Sequence, residues 1–269
     1  MRILNLIFVI TVLFSSHIYA DEITNTFPAD LKGNLAFFNK ICESNPKHAL
    51  NNLILIDTTD PLTDDQIQFI RDNYIKNAQW KNLGDKFTIV VLNEKPAALM
   101  DFVTMCAPVP ESKIDSSMAV LNQKKQIRIF NKTLSDVFDT MVKPKGKAQN
   151  TNLIESLVEV FRSKRYGFLD AGERHLIIAS DLYQNSNLIS FYKLCKKNQC
   201  PTFADTVKDK AINNFIRNEA KLSIRSTDKI DIFNLKSQGR VNLTAKPWWV
   251  DYLGQAGANK NNLKIQSQL

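Results

Sequence analysis

The chain has few of the residues on which redox, zinc and nucleic-acid-binding proteins depend. Four cysteines, three histidines and eight glycines occur among its 269 residues. No two cysteines stand in the Cys-x-x-Cys spacing, which excludes the usual motifs of thiol redox enzymes and structural zinc sites. With so little glycine and 44% hydrophobic residues, the chain is not disordered and can bury a substantial core.

Charge of one sign is not concentrated anywhere along the chain. The 35 basic and 27 acidic residues give a formal charge of +8, and the basic residues are scattered, whereas a nucleic-acid-binding stripe requires a cluster. We therefore expect no nucleic-acid partner. The excess of lysine either keeps a solvated surface soluble or attracts an anionic partner, such as a membrane surface or a cell-wall polymer.

The one long hydrophobic run lies at the N-terminus. The positively charged start Met1-Arg2 is followed by an apolar stretch, Leu6–Phe14, and by a polar segment that ends in the small residue Ala20. This pattern predicts a secretory signal peptide over residues 1–20 and a periplasmic or secreted product. A retained membrane anchor is the alternative, but the run is shorter than the roughly 20 residues of a spanning helix.

The four cysteines are predicted to form structural disulfides, because exported proteins mature in an oxidising compartment. Cys195 and Cys200 bracket a short lysine-bearing loop whose ends can be clipped together. Cys42 would then pair with Cys106. Four cysteines allow three pairings, and the sequence alone does not choose among them.

Two apolar runs end in an aspartate. Leu53–Ile56 precedes Asp57-Thr58-Thr59-Asp60, and Leu176–Ala179 precedes Ser180-Asp181. Each run is typical of a buried parallel strand that carries a carboxylate at its C-terminal end, where open α/β sheets place their ligand sites. Two such aspartates predict one shared site.

The spacing of the apolar residues predicts alternating strands and helices. A helix that opens near Thr63 and a strand at Phe87–Leu92 complete a βαβ unit with the first run. We expect an α/β fold: a doubly wound, mostly parallel sheet flanked by helices, with an antiparallel edge strand. It would form a single domain over residues 51–258, with an N-terminal lead-in at 21–50 and a disordered tail at 259–269. The further expectations are a loop around Cys106–Pro110, alternating apolar residues over Met118–Phe130, helices at Leu134–Met141, Asn152–Arg165 and Phe203–Ala220, and an edge strand at Lys229–Leu235.

The segment Lys246–Ala258 predicts a short aromatic-rich helix capped by Gly257. Trp248, Trp249 and Tyr252 supply its rings. One interpretation packs the helix on the flank of the sheet as core, and the other makes it an aromatic ligand-binding stripe.

The candidate ligands near the strand ends are all oxygen donors. Asp57, Thr59 and Asp181 follow the two strands, and Thr151 stands at the mouth of the helix predicted from Asn152. Such donors suit a hard divalent cation, Mg²⁺ or Mn²⁺, bound partly through water. The competing interpretations are a helix N-cap for Asp57 and Thr59, and a loop turn for Asp181.

No pair of nucleophile and base accompanies these donors. Two histidines remain after the predicted signal peptide, His48 just before a turn and His175 at the start of a strand. A lone histidine in such a place is more often structural than catalytic. We therefore do not expect an enzyme.

These residues resemble the metal-ion-dependent adhesion site of the von Willebrand factor A (vWA) domain family. In that family, the site consists of Asp-x-Ser/Thr-x-Ser after the first strand, a Thr at the mouth of a later helix and an Asp after the central strand. Asp57 and Thr59 match the first two positions, Thr151 resembles the Thr element, and Asp181 resembles the last Asp. The resemblance runs over about residues 51–235.

The first motif departs from the family pattern at its third position. Pro61 stands there and has no hydroxyl, so one expected ligand is missing. Asp60 or water would then complete the coordination, or the site would be a relic.

The resemblance implies an exported bacterial protein-binding module, in which the cation keeps one coordination position open for a carboxylate of a protein partner. Peripheral association with a bacterial envelope assembly follows by analogy alone. A metal-free structural subunit of an envelope, secretion or conjugation complex is one alternative, favoured by Pro61. A metal-dependent phosphohydrolase is the other, but such enzymes carry a second Asp two residues after the first, where this chain has Thr59.

Overall fold

The computed structural model describes residues 22–44, 50–78, 80–93, 95–113, 120–143, 148–195, 199–237, 240–241 and 243–268. Within them the chain forms a six-stranded sheet with helices packed on both faces, so the predicted α/β fold is confirmed. The predicted signal peptide, residues 1–20, and His48 lie outside the described residues.

A mostly parallel sheet forms the centre of the fold. The described strands are β1 (Leu50–Asp57), β2 (Lys86–Leu92), β3 (Asp101–Cys106), β4 (Glu173–Ser180), β5 (Lys229–Asn234), β6 (Lys236–Ser237), β7 (Arg240–Val241) and β8 (Leu263–Ser267). The main sheet has the order β3-β2-β1-β4-β5-β8, and each neighbouring pair is parallel except β2 and β3. Strands β6 and β7 form a separate antiparallel pair.

Helices connect most of the strands. Those of the described chain are α1 (Ala29–Ser44), α2 (Asp64–Ile70), α3 (Val120–Met141), α4 (Leu153–Arg162), α5 (Phe191–Leu194), α6 (Phe203–Thr206), α7 (Lys210–Asn218) and α8 (Lys246–Gln255). A π-helical turn, Arg71–Ile75, continues α2.

The central strands β1 and β4 are covered on both faces, which is why each is a continuous apolar run and not an alternating one. Leu53 and Leu55 of β1 belong to a core that includes residues of α4 and α8. Ile54 and Ile56 belong to a second core, on the other face, that includes residues of α1 and α3. Helices on opposite faces of one sheet give the doubly wound arrangement that the sequence predicts.

Helix α8 packs as core. Trp248, Trp249 and Tyr252 are buried, and each polar atom of their rings donates a hydrogen bond to protein, including one from Trp249 Nε1 to the carbonyl of Leu182 at 3.0 Å. Because the rings are enclosed and their polar atoms satisfied, the core interpretation is confirmed over the ligand stripe. The bond to Leu182 also fixes the loop that follows β4.

Both predicted disulfides are present. Cys42 and Cys106 join α1 to β3, with Cα atoms 5.2 Å apart, and Cys195 is bonded to Cys200. Two disulfide pairs fit a non-reducing, extracytoplasmic setting. In the described part of the chain, no helix is long and apolar enough to cross a membrane.

The structure corrects the predicted edges of the sheet. An antiparallel edge strand is present as predicted; it is β3, which ends where the predicted loop Cys106–Pro110 begins. Lys229–Leu235, which was predicted as an edge strand, instead supplies β5, which lies inside the sheet and is parallel to both neighbours. The prediction of a disordered tail at 259–269 is wrong, because β8 forms the other edge. In β8, Leu263 and Ile265 pack against the core, and Lys264 is exposed. Two apolar residues alternating with polar ones in a polar segment are too short a pattern to predict a strand from the sequence.

The structure also corrects two helix predictions. Met118–Phe130 and Leu134–Met141 belong, from Val120 onward, to the continuous helix α3. Its buried apolar residues start at Phe130, so the exposed first half shows no helical pattern. Conversely, the helix predicted at Phe203–Ala220 is two helices, because Asp209 accepts hydrogen bonds from the first backbone N–H groups of α7 and starts a new helix there.

Candidate functional site

The two aspartate-bearing strand ends meet at one edge of the sheet. Strands β1 and β4 are adjacent and parallel, with Ile56 opposite Ala179, so the residues that follow them emerge side by side. Ser180 Oγ donates a hydrogen bond to Asp57 Oδ2 at 2.7 Å. The predicted convergence of the two strand ends is therefore found in the structure.

Asp57 organises the threonine hydroxyls of the site. Its Oδ1 accepts hydrogen bonds from the backbone N–H of Thr59 at 3.1 Å and from the hydroxyl of Thr59 at 2.6 Å. Thr59 Oγ1 lies 2.9 Å from Thr151 Oγ1. A hydroxyl has one proton, and that of Thr59 is given to Asp57, so Thr151 must donate to Thr59. The two hydroxyls thus form a chain directed at the carboxylate.

Backbone contacts hold Thr151 in this position. Its N–H and C=O pair with Asn185 in the loop after β4, at 3.0 and 2.8 Å. Within the same loop, the buried side chain of Gln184 accepts a hydrogen bond from the backbone N–H of Ile154, in the first turn of α4, at 2.9 Å. The loop after β4 and the start of α4 are therefore joined as one unit around Thr151.

The predicted residues line one depression of about 440 Å³. It contains Asp57, Thr59, Thr151 and Asp181 as well as the accessory candidate Asp60. Asp60 is exposed, and Asp181 is half-buried. The structure thus brings together every residue that the sequence singles out for the site.

Carboxylates dominate the electrostatics of this depression. Burial raises the pKa of Asp57, hydrogen bonds from Thr59 and Ser180 oppose that rise, and the charge of Asp60 adds to it. The pKa of Tyr192, at the rim, is raised by partial burial and then by the charges of Asp181, Asp60 and Asp57. Asp65 and Lys236 also line the depression, so four acidic side chains and one basic side chain surround it. A cation bound there would reduce the repulsion between the carboxylates.

The alternative interpretations of these residues find mixed support. Thr63 does cap α2, in a reciprocal capping box with Gln66, but the hydrogen bonds of Asp57 run to Thr59 and Ser180 and not to α2. The loop-turn interpretation holds for one oxygen of Asp181, which accepts from the backbone N–H of Tyr183 at 3.0 Å.

The donor set fits a small hard cation. In an octahedral Mg²⁺ site with bonds of about 2.0–2.1 Å, adjacent oxygens lie about 2.9 Å apart. The Thr59 and Thr151 hydroxyls have this separation, which is also that of the ordinary hydrogen bond between them. No group of three or more His, Cys, Asp or Glu side chains with metal-binding geometry occurs among the described residues. A cation here would therefore depend on the threonine hydroxyls as much as on the carboxylates.

Two contributors to the site were not predicted as site residues. Ser180 supplies the second hydroxyl bonded to Asp57, and its signal was a polar residue in the last position of a buried strand. Tyr192, which lies at the rim on the short helix α5, had no signal, since its proximity depends on the path of the loop after β4.

Comparison with known proteins adds no assignment. No protein-family model matches the chain, and no curated protein shows significant similarity to it. The resemblance to the vWA family therefore depends on the residue pattern alone.

Proposed function

We propose that this chain is an exported, vWA-like protein-binding module that captures a carboxylate of a protein partner through Mg²⁺ or Mn²⁺. The cation would be held by Asp57, Thr59, Thr151 and Asp181, with Asp60 as an accessory group. The convergence of the two threonine hydroxyls carries the proposal, because Thr59 and Thr151 are 92 residues apart in the chain and line one depression together with Asp57, Asp60 and Asp181.

Each residue has a distinct task in this arrangement. Asp57, buried at the base, orients the hydroxyl of Thr59 and supplies negative charge. Thr151, fixed through its backbone to Asn185, presents the second hydroxyl. When bound, the cation would supply a coordination position that a partner's Asp or Glu completes. Recognition of this kind needs no turnover.

Asp60 is suited to replace the ligand that Pro61 lacks. It directly precedes Pro61, is exposed, and lines the depression beside Asp57. A carboxylate in this position can bind a cation directly or through water. In the proposed site, Asp60 therefore takes the place of the hydroxyl ligand that Pro61 cannot supply.

The rim of the depression suits a protein partner. Tyr192, which lines the depression, is 60% exposed, and its ring lies 5.1 Å from that of Tyr183. Leu188, in the loop that leads to α5, is also exposed. Exposed aromatic and aliphatic side chains around a polar centre are typical of contact surfaces. The net positive charge of the chain would speed encounter with an acidic partner, an effect that salt weakens.

A metal-free structural subunit of an envelope complex is the second candidate. The observation in its favour is that Asp57 already accepts three hydrogen bonds, from Thr59 and Ser180. A carboxylate so satisfied can remain buried without a cation. In that case, the hydroxyl chain would serve only to lock β1, β4 and α4 together.

Titration of the oxidised protein with Mn²⁺, followed by electron paramagnetic resonance, separates these two candidates. The binding module predicts one saturable site that Thr151→Val removes and Mg²⁺ competes for. Thr104→Val is a matched control, because the hydroxyls of Thr88 and Thr104 form a similar pair at 3.1 Å away from the site. Equal Mn²⁺ binding by both variants, or none by the unaltered protein, would contradict the proposal.

A further inference from the structure

A second cavity, of about 710 Å³, lies at the opposite end of the sheet from the aspartate site. Its floor is formed by the first residues of the parallel strands, among them Asn52 of β1, His175 of β4 and Asp231 of β5. Its wall is the π-helical turn after α2 and the segment that follows, including Tyr74 and Trp80. Cavities of about 300–1,000 Å³ are the usual size of small-molecule sites.

A histidine on the cavity floor is held rigidly between two strands. His175 Nε2 lies 2.7 Å from Asp231 Oδ2, and His175 Nδ1 lies 3.1 Å from Asn52 Oδ1. Both ring nitrogens are therefore hydrogen-bonded within the protein. The imidazole is thus a positioning group for Asn52 and Asp231, and neither nitrogen is left to act as an acid or base toward a ligand.

Two polar groups in the cavity lining have no partner. Asn52 and Tyr74 are each only 6% exposed, and among the described residues neither Asn52 Nδ2 nor the Tyr74 hydroxyl makes a hydrogen bond. Burial raises the pKa of Tyr74, so the phenol keeps its proton. Buried donors without acceptors destabilise a protein unless water or a ligand satisfies them. Both residues belong to the lining of this cavity.

The charges in the lining are largely matched by one another. Glu173 is paired with Lys81 at 3.0 Å, Arg174 is paired with Asp228, and Asp231 is hydrogen-bonded to His175. Lys229 and Lys264 add positive charge, but both are exposed to solvent at the margin. The enclosed part of the cavity therefore offers hydrogen bonds and aromatic surface in preference to an unbalanced charge.

We propose that this cavity binds a neutral, polyhydroxylated ligand, namely a sugar ring. A sugar hydroxyl is both donor and acceptor, so it can accept from the Asn52 amide or the Tyr74 hydroxyl while donating to a neighbouring oxygen. The C–H face of a sugar ring needs apolar surface, which the half-buried ring of Trp80 supplies. The ring could belong to a free saccharide or to an envelope glycan. This site does not depend on the proposed cation site.

Calorimetric titration of the oxidised protein with N-acetylglucosamine, glucose and glucuronate tests the proposal. We expect saturable binding of a neutral sugar that Tyr74→Phe weakens by at least about tenfold, or about 1.4 kcal/mol. Because the Tyr74 hydroxyl makes no hydrogen bond among the described residues, this variant should melt no lower than the original. Tyr252→Phe is the control: it loses a bond to the carbonyl of Ala220 on the other face of the sheet, and it should keep full sugar affinity.

Three results would overturn the inference. They are no binding of either neutral sugar below a dissociation constant of about 10 mM, equal affinity in Tyr74→Phe, and tighter binding of glucuronate than of glucose. The first two would mean that water alone satisfies the buried donors, and the third that an anion is preferred. If a neutral sugar binds, the next measurement is co-sedimentation of the protein with insoluble peptidoglycan. Co-sedimentation that the free sugar abolishes by competition points to a glycan as the ligand. Binding of the free sugar without co-sedimentation points to a free saccharide.

Discussion

The melting temperature of the protein should be higher in Mg²⁺ than in EDTA, because a cation bound at the candidate site stabilises the folded state. A ligand that binds only the folded state adds about 2.7 kcal/mol when its concentration is about 100 times its dissociation constant. For a protein of this size, 1 kcal/mol raises the melting temperature by about 2–4 °C. We therefore expect a rise of about 5–10 °C in the oxidised protein.

Thr151→Val measures how much of the Mg²⁺-dependent rise in melting temperature requires the Thr151 hydroxyl. In EDTA it should lower stability by about 1 kcal/mol, because one hydroxyl–hydroxyl hydrogen bond is lost. Thr104→Val loses a similar bond between β3 and β2 and should cost a similar amount. With Mg²⁺, only Thr104→Val should regain the full rise, so the difference between the variants measures the cation.

The reasoning would be refuted in either of two ways. If Mg²⁺ leaves the melting temperature of the original protein unchanged, the octahedral spacing of the hydroxyls reflects packing alone. If the temperature rises equally in Thr151→Val, the cation binds elsewhere. Either result would favour the metal-free structural subunit.

Three further perturbations follow from the structure. Because burial raises the folded pKa of Asp57, the stability of the original protein relative to Asp57→Asn should fall as pH rises from about 4. Thermal unfolding in EDTA across this pH range measures the difference, and a flat difference would contradict the reasoning. Replacing both Cys42 and Cys106 by Ser opens a loop with a sequence separation of 64. It should lower the free energy of unfolding, measured in urea, by about 4 kcal/mol. A loss smaller than that caused by removing the Cys195–Cys200 disulfide, whose sequence separation is 5, would refute the loop-entropy reasoning. Arg174→Met leaves Asp228 buried without its bidentate partner and should lower the free energy of unfolding by about 3–5 kcal/mol. Because the unpaired charge of Asp228 causes this loss, the double variant Arg174→Met/Asp228→Leu should be less destabilised in the same assay.

The sequence was informative where burial is complete. Strands β1 and β4 lie in the middle of the sheet, so they are nearly uninterrupted apolar runs, and their polar ends identify Asp57 and Asp181 as neighbours. Helix α4 was equally clear, because its apolar residues all face the core. These elements fixed the location of the candidate site.

Elements at the margins of the fold were not predictable in the same way. Strands β3 and β8 form the two edges, and each is only five or six residues long. In β8 the side chains alternate between half-buried and exposed, so its apolar pattern is short. The place of Tyr192 at the rim, and the pairing of Asn185 with Thr151, depend on a loop with no periodicity. Tertiary contacts determine the position of such loop residues, and these contacts cannot be predicted from the local sequence pattern.

The sequence distance across the aspartate site has a consequence for the order of folding. Asp57 and Ser180 are 123 residues apart in the chain, and loop closure over such a distance makes the pairing of β1 with β4 slow relative to local contacts. An intermediate that has only β1, β2 and β3 in place would hold Asp57 without Ser180 or Thr151. The proposed partner capture would thus be withheld from incompletely folded molecules, because the candidate site is assembled by the long-range step that completes the sheet.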